Sequence, residues 1–456
     1  MIMKLRQWWQ EVQSSFWFVP AVIVMGAVGL AIALIAVDTS VELHVDKKWP
    51  LIFGSGAAGA RGLLTSVASS MITVAGVVFS ITIVALSLTS SQYTSRILRN
   101  FMRDRLNQAV LGVFVGIFAY CLVVLRTIRG GDEGPFVPSL AVLGGLVLAF
   151  VGIGFLIFFI HHISMSIQAS SIIAAAAEET ISAVDHLFPN RLGDTPDGDS
   201  NDTSETDLAE LAWSGVRAHR TGYIESIDEE ALLGWARNRD AIVRMERGIG
   251  EFVVEGDALA SVADLELSDE DGAAEVHDVY VISHQRSVHQ DVGFGIRQIV
   301  DIAMKALSPG VNDTTTAVMC LDYLTAIFAR LADRGFATTQ RFDEGKLRVI
   351  ARVANFESLL AEAFNQIRQN AEGNVAILTK QLQSLESIVG QTTNPLRRNA
   401  LLQQVVMLAT VVEDTIILPH DSVDVKAAVM RLSKILNTPN RQPYGQDILP
   451  ARAEII

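Results

Sequence analysis

The stretch "KALSPGVNDTTTA", Lys305–Ala317, gathers the residues of this sequence best suited to binding chemistry. Just ahead of it, Arg297, Asp301 and Lys305 stand at i, i+4 and i+8, which puts alternating charges on one helix face. Pro309 and Gly310 end that helix, because proline cannot continue it and glycine accepts a left-handed turn. Asn312 or Asp313 can cap a second helix, expected over Thr314–Leu331. Ser308, Asn312, Asp313, Thr315 and Thr316 then meet at a helix N-terminus, within reach of Lys305 and Arg297. Free amides beside cations suit a phosphate or carboxylate ligand. The same residues could equally form an inter-subunit contact or a plain intrachain corner, and the sequence leaves the three readings open.

Other reactive side chains fall into no constellation. His289 and Asp291, read as part of a helix His284–Leu307, lie two apart and face away from each other, which disfavours a catalytic pair. Arg286, Gln290 and Asp291 add polar groups near the start of that helix. His161 and His162 are adjacent and point about 100° apart, which suits interfacial side chains better than joint metal ligation. Cys121 lies in an apolar run and Cys320 in an expected soluble helix; two cysteines make neither a probable bridge nor a zinc framework. The expectation is therefore no catalytic residue, no metal, no cofactor and no enzymatic activity.

The elements that carry these residues follow from hydropathy. Half of the 456 residues are hydrophobic, and the long charge-free runs fill the first third. Four runs are apolar and long enough to cross a bilayer core, which takes roughly 20 helical residues: about 16–37, 63–89, 109–125 and 139–160, the third being short but extendable by its flanks. Lys4 and Arg6 precede the first, but its length and the three later spans argue for a retained anchor, not a signal peptide. The loop "SQYTSRILRNFMRDR" after the second span carries Arg96, Arg99, Arg103 and Arg105. The loops after spans one and three balance Asp38, Glu42, Asp46, Asp132 and Glu133 against Lys47, Lys48, Arg61, Arg126 and Arg129. The positive-inside rule then places the Arg-rich loop and both termini in the cytoplasm. A net charge of −14 disfavours non-specific nucleic-acid binding.

The second span, "LLTSVASSMITVAGVVFSITIVALSLTSSQ", has an unusual face. At about 100° per residue, Ser66, Ser69, Thr73, Gly76, Ser80, Ile83, Ser87 and Ser90 fall in an arc of about 120°. Such a stripe of small hydroxylated residues serves close helix packing or lines an aqueous path shared by several copies. No Asp, Glu, Lys or Arg lies within the spans, and a coupled pump would normally need one.

Beyond the membrane part, residues 163–188 read as a helix continuing span four, and 189–207 as an acidic flexible linker. A small β-rich module is expected over 208–283, with Asp228 capping a helix Glu229–Ala236. Its segment "GEFVVEGDALASV" resembles half of a biotinyl/lipoyl-type barrel, with two Gly-flanked strands folding on each other. No lysine occurs between Lys48 and Lys305, so no acceptor amine for such a cofactor exists there. Residues 284–440 are expected to form a helical bundle, including helices Asp343–Ala371, Asn374–Gln391, Pro395–Thr415 and Ser422–Leu436, followed by a tail, 441–456.

Three segments in this order, "FSITIVALSLTSSQYTSRIL", "TGYIESID" and "SVHQDVGFGIRQIVDIAMKALSPGVNDTTTAV", resemble a widespread family of predicted bacterial membrane proteins. The family shares a domain of unknown function. Ser308–Asp313 is the most specific part of the resemblance, although Thr314 stands where the family usually has proline. Tyr93-Thr94-Ser95-Arg96 likewise replaces a Ser-Pro-Arg common after span two. The resemblance implies architecture and bacterial origin, but no reaction.

The expected fold is membrane α-helical, with four transmembrane helices, plus a cytosolic α+β region of a small β module and a helical bundle. The expected function is a homo-oligomeric inner-membrane channel or passive pore, with ions or a small anionic ligand, lipid and other copies of itself as partners. The alternative is a membrane-tethered ligand sensor or scaffold that uses the Lys305–Thr316 corner.

Overall fold

The structure, a computed structural model, describes residues 17–40, 56–92, 105–129, 136–188, 208, 211–263, 270–336 and 338–438. Two compact units divide the chain, Met1–Ile172 and Ile173–Ile456.

In the first unit, α1 (Phe18–Ser40), α2 (Ala57–Gln92), α3 (Arg105–Thr127) and α4 (Ser139–Ser166) are each long and apolar enough to cross a membrane. Helix α3 packs against α1, α2 and α4. Apolar side chains gain little from leaving lipid for protein, so small residues that admit close contact set the helix crossings. Gly112 and Gly116 of α3 play this part against Pro20, Ile23 and Ala27 of α1. A Cβ on Gly112 would lie 2.9 Å from the Pro20 Cα. In α4, Gly145 receives Leu64 of α2, and Gly152 receives Ile117 and Met71. Leu64, Met71, Phe114, Ile117, Tyr120 and Phe159 form the buried centre.

Charged side chains secure the helix ends. Pro138 precedes α4 and provides no side-chain cap. Asp38, near the end of α1, supplies it instead: its carboxylate accepts the Leu140 N–H at 3.2 Å and the Ala141 N–H at 3.1 Å. The Tyr120 hydroxyl donates to the Ala141 carbonyl at 2.7 Å. Arg61 donates to the Ile128 carbonyl, just beyond α3, at 2.7 Å. An anion at a helix N-terminus and a cation at a C-terminus each complement the macrodipole. Asp38 and Arg61, expected as loop charges, thus lie within α1 and α2. The expected continuous extension of span four is interrupted at Ile167–Gln168, after which α5 runs over Ala169–Leu187.

The second unit joins two sheets to a helical bundle. Its strands are β1 (Trp213–Arg217), β2 (Gly222–Ile227), β3 (Val243–Met245), β4 (Phe252–Val253), β5 (Ala258–Ala263), β6 (Tyr280–Ser283), β7 (Gln340–Asp343) and β8 (Lys346–Ile350). They form a five-stranded sheet, β1-β5-β3-β8-β7, and a three-stranded sheet, β4-β2-β6. The β3–β8 pair is parallel; the other pairs are antiparallel. Helices α6 (Glu229–Asn238) and α7 (Glu270–Val279) pack with them. The core between these elements includes Ile224, Leu232, Val243, Leu259, Val276, Ile282 and Val349. Asp228 caps α6 as expected, accepting the Ala231 N–H at 3.0 Å.

Helices α8 (Val292–Leu307), α9 (Thr314–Leu331), α10 (Phe356–Gln369), α11 (Val375–Val389), α12 (Pro395–Thr415) and α13 (Pro419–Asn437) complete the unit. Helices α9 and α12 have the expected bounds. Phe328 of α9 meets Phe356 and Phe364 of α10 edge-on, at ring-centroid distances of 5.7 and 6.0 Å.

Three expectations are corrected here. The helix placed at Asp343–Ala371 begins only at Phe356; the residues before it form the β7–β8 hairpin, turning at Glu344 and Gly345 with φ of 50° and 76°. Within 284–440 the chain is therefore not wholly helical, and β8 pairs with β3 of the β-rich module. The strands of "GEFVVEGDALASV" do not fold on each other: β4 joins β2, while β5 joins β1 and β3. The helix expected from His284 starts at Val292, because Asp291 caps it there with its side chain on the Phe294 N–H at 2.9 Å.

Candidate functional site

On α2, the buried positions Ala60, Leu64, Ala68, Met71, Ala75, Val78, Ala85 and Thr89 form the face turned toward α3 and α4. Ser66, Ser69, Thr73, Gly76, Ser80 and Ser87 are all exposed and, at about 100° per residue, lie on the other side of the helix. A Cβ on Gly62 or Gly76 would meet no atom within 4 Å. The stripe thus faces away from the chain's own bundle, and packing among the described helices of the chain does not account for it. Ser66 and Thr73 donate to the carbonyls of Gly62 and Ser69, four residues back, at 2.9 and 2.8 Å. The Ser90 side chain lies outside the described residues, as does most of the Arg-rich loop.

At the Lys305–Thr316 corner, most hydrogen-bonding groups are engaged locally. The Ser308 hydroxyl donates to the Lys305 carbonyl at 2.7 Å, and the Asn312 N–H to the Ser308 carbonyl at 2.9 Å. Asn312 adopts the left-handed region, with φ of 49°. The Asp313 N–H returns to the Ala306 carbonyl at 2.8 Å. The Asp313 carboxylate accepts the buried Thr316's N–H at 3.0 Å and its hydroxyl at 2.6 Å. The Thr316 hydroxyl bond and the amide bonds at Thr316 and Thr315 together hold the Asp313 carboxyl below its usual value. A side-chain carboxylate therefore occupies the end of α9 where an external anion would sit.

Of the expected charge ladder, Arg297 and Asp301 form an ion pair at 3.1 Å, while Lys305 is exposed. The structure adds a neighbouring cluster that the sequence did not identify. Arg286 donates two hydrogen bonds to Asp291, at 2.8 and 3.1 Å, and its guanidinium lies 5.2 Å from the Phe294 ring centre. Glu362 of α10 approaches from the other side: a Cβ on Gly293 would lie 3.3 Å from both an Asp291 oxygen and a Glu362 oxygen. Asp291 and Gly293 were visible in the sequence, but the partner on α10 is some seventy residues away and carries no local signal.

A second anchor sits one turn along α8. Gly295 accommodates Thr180 of α5, whose hydroxyl donates to the Ala176 carbonyl. Asp185 of α5 accepts hydrogen bonds from Arg330 and the buried Arg334, and Phe188 packs on Phe336 with ring centres 4.7 Å apart. The Arg330 bond leads the causes that lower the Asp185 carboxyl below its usual value. Helix α5 is thereby fixed to α8 and α9.

Of the remaining reactive groups, His219 and His277 lie with ring centres 5.2 Å apart. His289 is exposed and Asp291 buried. His162 stacks on Phe158 with ring centres 5.8 Å apart. Cys121 and Cys320 are both buried and free, and burial pushes the Cys320 thiol upward. Among the described residues, no group of His, Cys, Asp and Glu is arranged to hold a metal ion.

Residues 13–387 match the family described as "Predicted membrane protein (DUF2254)". The uncharacterized protein MT1328 of Mycobacterium tuberculosis is 31% identical over 437 residues, covering 94% of this chain and 82% of that protein. The uncharacterized protein Mb1321c of Mycobacterium bovis matches with the same identity and coverage. No solved structure matches the chain. On the family match and on these relatives, the chain belongs to this family of predicted membrane proteins.

Proposed function

We propose that the chain is a subunit of a homo-oligomeric channel or passive pore of the bacterial inner membrane, with both termini cytoplasmic. Copies of α2 line the path, and the C-terminal unit serves as a cytosolic vestibule or gate. The observation that carries this reading is the outward direction of Ser66, Ser69, Thr73, Gly76, Ser80 and Ser87. Their small size suits close approach of another copy, since helices in lipid associate through small and hydroxylated faces. The large exposed residues Ile72, Val77, Phe79 and Ile81 provide lipid-facing surface on the same helix. Between Gly62 and Gln92 the helix carries no acidic or basic residue, which favours passive passage over coupled transport. The hydrogen bonds of Ser66 and Thr73 to their own backbone leave hydroxyl oxygens free to meet water.

The test is flux of ions and small solutes from liposomes containing purified protein. Flux above that of empty vesicles, reduced by Ser80→Phe, is expected; leakage equal to empty vesicles under every gating condition contradicts the reading. The alternative, a tethered sensor or scaffold using Lys305–Thr316, draws less support because Asp313 already occupies the helix end where an anion would bind.

A further inference from the structure

We propose that the α11–α12 hairpin encloses an internal water site built by Gln381, Ser384 and Gln404. All three residues are more than nine-tenths buried, Gln381 wholly so. Among the described residues, neither carboxamide atom of Gln381 has a hydrogen-bond partner, and neither the Ser384 hydroxyl nor the Gln404 Oε1 has one. Gln404 is held from its other atom, its Nε2 donating to the Asn365 Oδ1 of α10 at 3.1 Å. Four polar atoms are thus withdrawn from solvent without a protein partner, a situation that folded chains meet with ordered water.

The helices bring these atoms to one place. Helix α11 ends at Val389 and α12 begins at Pro395, and the two are in contact. So short a link makes them an antiparallel pair. Gln381 stands eight residues before the end of α11 and Gln404 nine after the start of α12, which puts both at one level. Direction follows from the ion pairs. Lys380 reaches Asp322 of α9, and Glu386 reaches Arg431 of α13. At about 100° per residue, Gln381 points about 100° from the first and about 140° from the second, away from the exposed Gln383 and Ser387. The helices remaining on that side are α10 and α12, both in contact with α11. Ser384, three residues on, turns from Gln381 by only about 60°.

The chemistry of the guest follows from its hosts. Two carboxamide oxygens, an amide nitrogen and a hydroxyl call for an uncharged molecule that both donates and accepts. The charged neighbours on α11, Lys380 and Glu386, are engaged with their own partners. Leu378 and Leu385, one turn to either side of Gln381, are fully buried, as are Leu401 and Leu408 around Gln404. Interiors walled in this way are close-packed, which suits water and not a larger solute. The site belongs to the C-terminal unit and does not depend on the conduction reading.

The test combines a density map of the full chain, at a resolution that shows water, with melting temperatures of variants in detergent. The map should show at least one ordered water at about 2.7–3.2 Å from the Gln381 carboxamide and from Ser384 or Gln404. Gln381→Met nearly keeps the side-chain volume but removes both polar atoms. It should lower the melting temperature by about 2 °C or more, because the water loses a ligand and leaves Ser384 and Gln404 unpaired. Ser384→Ala should cost less in the Gln381→Met background than in wild type, since the two share the water. A direct Gln381–Gln404 bond with no water between, a Gln381→Met variant at least as stable as wild type, or strictly additive losses would each overturn the proposal. Should Gln381→Met fail to fold, the map alone decides.

Discussion

The Asp38 carboxylate caps the N-terminus of α4 at Ala141, across 103 positions of sequence, with an N–H to oxygen distance of 3.1 Å. It replaces the cap that Pro138 does not provide, and so ties the end of α1 to the start of α4. Asp38→Ala should lower stability by about 1 kcal/mol, within the range for lost N-caps, while Asp38→Asn keeps one acceptor and should cost less. Melting temperatures of the detergent-solubilised protein order the three; an unchanged Asp38→Ala variant would remove the cap from the account.

Close packing of α1 on α3 rests on Gly112, where the nearest obstacle to a Cβ is backbone. Backbone cannot rotate away as a flexible side chain can, so Gly112→Ala must displace a helix. Overpacking of this kind costs about 1–3 kcal/mol. Gly154→Ala, at a site where a Cβ meets nothing within 4 Å, is the matched control and should be near neutral. Equal melting temperatures for the two variants would contradict the packing assignment.

At the corner, Asp313→Ala removes the partner of both the Thr316 N–H and the Thr316 hydroxyl. A loss of about 1 kcal/mol is expected at neutral pH. The Asp313 carboxyl is held below its usual value, so its contribution is present above the ordinary aspartate value of about 3.9 and disappears as pH falls through the lowered value. The gap between wild type and Asp313→Ala in chemical or thermal unfolding should therefore narrow only in strong acid. Narrowing at mildly acidic pH would show that the carboxylate is not held in this way.

Much of the architecture was legible because strong local signals agreed. Long apolar runs marked α1 to α4, and Asp228, the Asn312-Asp313 pair and Pro395 marked the starts of α6, α9 and α12, with Asp313 the residue that caps α9. The β7–β8 hairpin was misread because Leu347, Ile350 and Val353 happen to fit helical spacing. The turn was carried by Glu344-Gly345, a weaker signal than Asn-Gly or Asp-Gly. The start of α8 was placed too early because polar residues from His284 onward permit a helix, whereas Asp291 is bonded to Arg286 and to the Phe294 N–H. The relationships Asp38–Ala141, Arg61–Ile128 and Gly293–Glu362 join distant segments, and no periodicity encodes them. The α2 stripe could be read as a face, but its direction depended on which side Leu64, Met71 and Val78 would bury.

That direction is the centre of the account, and cysteine accessibility tests it most directly. Both native cysteines are buried, so new thiols can be followed singly. Ser80→Cys and Phe79→Cys are compared in membranes with a charged, membrane-impermeant thiol reagent. The account predicts rapid modification at position 80 and little at position 79, where the side chain faces lipid. Protection of both positions, or modification of position 79 alone, would contradict a water-filled path along α2.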